Sequence, residues 1–205
     1  GYLDPTKGWG GFAFYFLGSR ATAYAKHPDD KAFLFDVDTM KPRVNNPAWV
    51  RAIQDVVDSL PSEPADQLNA DPGTTGFQQF LAGTGTMLSW WGDIGSNVNT
   101  NDSSVIQGKT AFDILPGSDD VYNSKTGQWE KLASGPNYAP NMAYIGWGIY
   151  VMARVDADEK KKKAAWSLAA HLGGKDISLW MAAYPSGFQP YRQSHFNIAE
   201  WVAAG

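Results

Sequence analysis

A chain of 205 residues with 43% hydrophobic and 14% aromatic content can bury a real core, as one large domain or two small ones, and is not a disordered segment. Its net charge of -4 argues against nucleic acid as a partner. The absence of cysteine excludes disulfides, thiolate metal sites and thiol nucleophiles.

In chain order, Gly8 to Lys26 reads as a glycine-rich turn leading into a buried helix through Phe12-Ala13-Phe14-Tyr15-Phe16-Leu17, with strand as the alternative that periodicity leaves open. Ala32 to Val37 has the look of a short strand. Asn46-Pro47 then opens a helix, with a capping side chain before a proline at the first helical position. Val50, Ile53, Val57 and Leu60 recur along it at helical spacing, and Pro61 stops it. A helix from Asp71-Pro72 to Gly83 precedes a compact strand, Thr86 to Trp90. Ala111 to Leu115 is a further strand closed by Pro116-Gly117, Asp119 to Tyr138 a surface loop or hairpin, and Ile145 to Ala153 a third strand.

Asp156 is the expected cap of the next helix, with acid-lysine pairs Asp158/Lys162 and Glu159/Lys163 outside and Trp166, Ala169 and Ala170 inside. Gly173-Gly174 ends it. Helices follow from Lys175 to Tyr184 and from Asn197 to Ala204. Strands alternating with helices predict an α/β layer architecture, and nothing in the composition divides residues 1–205 into two domains. No apolar run approaches the roughly 20 residues that span a bilayer, and Gly1-Tyr2-Leu3-Asp4-Pro5 lacks signal-peptide character, so a soluble chain, mature or a fragment, is expected.

Catalytic patterns are weak. His27, His171 and His195 stand in no nucleophile setting, and Glu63, Glu130, Glu159 and Glu200 all fall in surface segments, which disfavours a hydrolytic triad and a glutamate pair. Asp36-Val37-Asp38 lacks the glycine and distal glutamate of a calcium loop, so neither metal nor cofactor is expected. Lys160 to Lys163 reads as the solvated face of a helix.

The tryptophans are more telling. Trp49, Trp166, Trp180 and Trp201 lie on helices and read as packing residues. Trp91 follows a strand end in Ser89-Trp90-Trp91-Gly92-Asp93, and Trp147 stands between glycines in Tyr144-Ile145-Gly146-Trp147-Gly148, at positions where α/β folds place ligands. An indole face can stack on the C–H face of a sugar while an ionised Asp93 accepts its hydroxyl bonds.

Read in order, these pieces resemble the extracellular solute-binding proteins of family 1, the carbohydrate receptors of ABC importers. The likeness is carried by Asp36-Val37-Asp38-Thr39-Met40-Lys41-Pro42 with Asn45-Asn46-Pro47, and by Phe80 to Met87 followed by Trp91-Gly92-Asp93. It continues through Phe112 to Gly117, Gly146-Trp147-Gly148-Ile149, Ala164 to Leu172, and Ser186 to Phe196. Gly85 and Thr86 depart from it, standing where that family often has alanines.

The resemblance implies one lobe of a type II periplasmic-binding-protein fold, a mixed sheet flanked by helices, with the second lobe absent from this chain. It implies non-catalytic capture of a sugar or polyol, presentation to a membrane permease, and a periplasmic or extracellular location. Trp91, Asp93, Gly146 and Trp147 would form the site, with Trp9, Tyr191 and Arg192 as further contacts. Two alternatives stand beside it. One is a glycan-cleaving enzyme using two aspartates, and the other an isolated lobe whose exposed lobe-lobe face serves a protein partner or self-association.

Overall fold

The computed structural model describes residues 2–3, 12–65, 76–141, 148–183 and 188–204. In chain order the elements are β1 (Tyr2–Leu3), α1 (Phe12–Ala25), α2 (Pro47–Ser59), α3 (Phe77–Leu81), β2 (Met87–Leu88) and α4 (Ile94–Thr100). Then come β3 (Asp120–Asn123), β4 (Gln128–Lys131), α5 (Glu159–Leu172), α6 (Lys175–Ala183) and α7 (Ile198–Ala204). The chain is mixed α and β, and among the described residues strand occurs in two pairs: β1 runs parallel to β2, and β3 antiparallel to β4 with Asp120 opposite Lys131. Two compact units are present, residues 1–89 with 109–145, and residues 90–108 with 146–205.

The first unit is built on α1 and α2. Asn46 is extended, and its side-chain oxygen accepts from the amides of Ala48 and Trp49, with Pro47 behind it, as the sequence predicts for this start. The buried face differs from the expected one. Ala48, Trp49 and Ala52 are covered, whereas Val50, Ile53 and Val57 are each at least half exposed. Small residues explain the rotation: Ala21 and Ala25 of α1 join Ala48 and Ala52 in one cluster, where the lack of long side chains allows close helix approach. Trp49 then slots between Phe14 and Phe33, with ring centroids 6.2 and 5.8 Å away and planes within 11° and 7° of parallel. The indole brings a large apolar surface and two ring-stacking contacts to the face that is buried.

Of the loop or hairpin expected over Asp119 to Tyr138, the hairpin is what forms, with β3 paired to β4 and Ser118 bridged to Asn137. Asn123 accepts the Gly127 amide at 2.8 Å, and Gly127 takes φ 71°, a conformation that favours glycine, to close the turn between β3 and β4. Val121 is fully buried, and the Asn137 side chain donates to the carbonyls of Ala23 and Lys26 at 2.8 and 3.1 Å, tying the hairpin base to the end of α1.

Three expected strands are not formed as drawn. Between Ala32 and Val37 only Phe35 makes a bridge, to Pro42, because Asp36 folds its own turn: one carboxylate oxygen accepts from the Asp38 and Thr39 amides and the Thr39 hydroxyl. The other accepts from Arg43 at 2.6 Å, so a cation would find this carboxylate already engaged. The strand at residues 86–90 shrinks to Met87–Leu88. Ala111 to Leu115 is exposed and irregular, with no strand paired to it among the described residues.

In the second unit, α5 begins one turn's fraction later than expected, after Asp158 rather than Asp156. Asp158 accepts from the amides of Lys160 and Lys161, and the ion pairs formed are Lys161 to Asp158 and Lys162 to Asp156. Trp166 faces outward, 57% exposed, and Ala170 is exposed too, which corrects their assignment to an inner face. Trp180 on α6 is likewise half exposed. Residues 148–152 are irregular and lead into a 3-10 turn, Ala153–Val155; the start of the strand expected from Ile145 lies outside the described residues. The same holds for the proposed helix start at Asp71. Among its described residues this unit buries the aliphatic Ile94 and Val98 of α4 and Ala182 of α6 together with the polar Asn97, Ser178 and His195.

Candidate functional site

The second unit brings together two segments far apart in sequence, Trp90-Trp91-Gly92-Asp93 before α4 and the stretch from Phe188 to Arg192. Asp93 has helical backbone angles at the start of α4, yet its carboxylate does not cap the helix. Its backbone carbonyl is instead gripped by α4, accepting from the Asn97 amide at 3.2 Å and from the side chains of Ser96 and Asn97 at 2.9 Å each. The side-chain carboxylate meets Gln189, whose amide donates to Oδ1 at 3.3 Å. The stem of Gln189 lies across Gly92, its Cγ 3.5 Å from where a Cβ would stand.

Burial pushes the Asp93 carboxyl above the ordinary aspartate range, opposed by Gln189, the backbone amide and the Trp90 indole, all of which favour the ionised form. Trp90 and Trp91 are both partly buried and pack edge to face, with centroids 5.6 Å apart and planes at 86°. The two adjacent indoles therefore present faces in different directions.

The other predicted residues divide. Among the described residues Arg192 forms no ion pair: its guanidinium donates to the Gly173 carbonyl at the end of α5 and lies 5.5 Å from the Tyr191 ring. Tyr191 is exposed and packs edge-on against His195 at 4.9 Å. Trp9, Gly146 and Trp147 lie outside the described residues. Gln189, which sequence reasoning passed over, is the residue that joins the two segments. Its position inside Gly187-Phe188-Gln189-Pro190-Tyr191 was the available signal, since that stretch was already singled out.

Sequence reasoning also missed a buried pair. Ser178 Oγ and His195 Nε2 are 3.1 Å apart and both residues are fully covered. The surrounding bonds set their polarity. The Tyr191 amide donates to His195 Nδ1, so the ring proton resides on Nε2 and points at Ser178, whose own hydroxyl donates to the Lys175 carbonyl. A base for a serine nucleophile needs the reverse, a bare nitrogen accepting from the hydroxyl. The pair serves as a staple between α6 and the turn Gln193–Phe196.

Among the described residues no cluster of three metal-ligating side chains is present. Comparison with protein-family models, curated proteins and solved structures finds no match.

Proposed function

We propose that this chain is one lobe of a carbohydrate receptor that serves an ABC importer, binding a sugar or polyol without transforming it and presenting it to a membrane permease outside the cytoplasm. The observation that carries this reading is the bond from Gln189 to Asp93. It unites the tryptophan-rich turn with the segment from Phe188 to Arg192, two stretches that resemble binding regions of solute-binding family 1. Trp91 supplies an aromatic face, Asp93 an acceptor with lone pairs beyond the one Gln189 engages, and Gln189 a second polar group. Gly146 and Trp147 belong to the same proposal on the strength of the sequence.

Tryptophan emission titrated with glucose, xylose, maltose and glycerol tests it. A saturable change in the parent that Trp91→Ala and Trp147→Ala each weaken at least tenfold is expected. A parent unresponsive to a wide panel of mono- and disaccharides, with calorimetry also silent, ends the reading.

A further inference from the structure

We propose that α2 is the contact face of a symmetric dimer, in which two copies of this chain pair their α2 helices antiparallel about Gln54. The pairing involves the first unit alone and is independent of the carbohydrate site. The helix is apolar on two sides. Ala48, Trp49 and Ala52 are buried, while on the other side Val50 is 64% exposed and Val57 50%. A helix face that meets water is ordinarily filled by charged or long polar residues; valine is a weaker helix former and leaves apolar area wet. Single exposed apolar residues are commonplace, but these stand in a line.

Their spacing defines the shape of the partner. Pro47, Val50, Gln54, Val57 and Pro61 recur at alternating intervals of three and four residues, the seam of a two-helix contact, and all five are exposed. Helical geometry sets Ile53, half exposed, along one side of that seam and Arg51 and Asp58, about two turns apart, along the other.

The charges select both partner and direction. One flank carries a cation near its start and an acid near its end, so it complements a reversed copy of itself. A twofold axis at Gln54 sets Val50 against Val57 of the partner subunit and Arg51 against Asp58 of the partner subunit, each contact being made twice. Parallel pairing would oppose like charges instead. Gln54, the polar residue of the seam, falls at the axis, where such a side chain fixes register.

Arg51 is held ready at this edge, its guanidinium over the Tyr24 and Trp129 rings at 4.5 and 5.3 Å from their centroids. Its acid neighbour within the chain, Asp120, is 3.9 Å away, a weak exposed pair. Asp58 accepts the Gln54 amide on Oδ1 at 2.8 Å, and an ionised carboxylate accepts more than one such bond. A seam of about four turns is small for an interface, so the dimer is reversible and concentration-dependent.

Sedimentation velocity on the whole chain from about 5 to about 500 µM, a range suited to a small interface, tests the pairing. A monomer-dimer equilibrium is expected. Val57→Lys should weaken it at least about tenfold, while circular dichroism and the urea midpoint stay those of the parent, since the position faces water in the monomer. Arg51→Glu and Asp58→Arg should each weaken it about tenfold by setting like charges together. An equimolar mixture of those two variants should dimerise to within about threefold of the parent, because each supplies the charge that the other lacks.

A parent that stays monomeric across the range overturns the proposal and leaves the face to another occupant. Dimers that Val57→Lys does not weaken overturn it as well, by placing the contact elsewhere on the chain. A mixture no more associated than its two components overturns the antiparallel register, and with it the pairing.

Discussion

The two units bury different things. Around Trp49 the first unit assembles alanines, aromatic rings and a clasped charge pair, with the Asp30 side chain 2% exposed between Arg43, 2.9 Å away, and the Ser124 hydroxyl. The second unit seals a serine and a histidine alongside Ile94, Val98 and Ala182, and leaves Trp166, Leu168, Phe196, Ile198 and Val202 outside. Apolar content alone therefore does not decide what becomes core. Where small residues let helices close up, a large ring can be enclosed; where they do not, hydrogen bonds hold the packing instead.

The sharpest way to break the contrast is Trp49→Ala, which empties the slot between Phe14 and Phe33. A loss of about 3–5 kcal/mol is expected, read as a shift in the urea midpoint of peptides from the first unit in hydrogen exchange. Next, Arg43→Met strands the buried Asp30 carboxylate, with an expected loss of about 3 kcal/mol in the same peptides.

Acid probes the contrast with opposite signs. The Thr39 hydroxyl first, and then Arg43, hold the Asp36 carboxyl well below the usual range, so its stabilisation is present above about pH 4 and is lost as pH falls further. Asp93 runs the other way. Its raised proton affinity means that its ionisation costs the second unit stability as pH climbs from about 4, so mild acid favours that unit. Peptide-resolved exchange between pH 7 and pH 4 should show protection in segment 90–97 rising relative to segment 33–43.

Smaller effects sharpen the same comparison. Ser178→Ala removes the acceptor of the His195 ring proton and should cost the second unit about 1–2 kcal/mol, leaving exchange in α1 and α2 unchanged. Smallest are the caps. Asn46→Ala and Asp158→Ala should each cost about 1 kcal/mol. The first loss should spread through the first unit, because α2 is embedded in it. The second should appear as local fraying of α5, none of whose residues is buried, and circular dichroism with exchange separates the two.

Local chemistry was the legible part of the sequence. Asn46-Pro47 marked the start of α2, the turn-rich stretch after Asp119 marked the hairpin, and Gly173 the end of α5, since each feature acts within a few residues of itself. What depended on distant neighbours was not legible. The stripe of Val50, Ile53 and Val57 and the stripe of Ala48, Trp49 and Ala52 lie one residue apart on the same helix, and only the alanines of α1 decide between them. Ala111 to Leu115 has strand-like residues but no partner strand among the described residues, and a strand without a ladder leaves its amides to water. At the candidate site, Trp91 and Asp93 were legible as an aromatic beside an acid, whereas Gln189 was not, because the bond to Asp93 spans 96 positions.

That Asn137 reaches back to Ala23 and Lys26 has a bearing on the order of events at the ribosome. The helices α1 and α2 leave the exit tunnel early, yet the carbonyls at the end of α1 wait for a side chain made more than a hundred residues later. Closing so long a loop is slow compared with forming either helix, so a half-synthesised chain can pair its alanine seam before the hairpin arrives to tie down the end of α1. Anything that stalls translation between residues 60 and 118 would leave those two carbonyls to water for as long as the pause lasts.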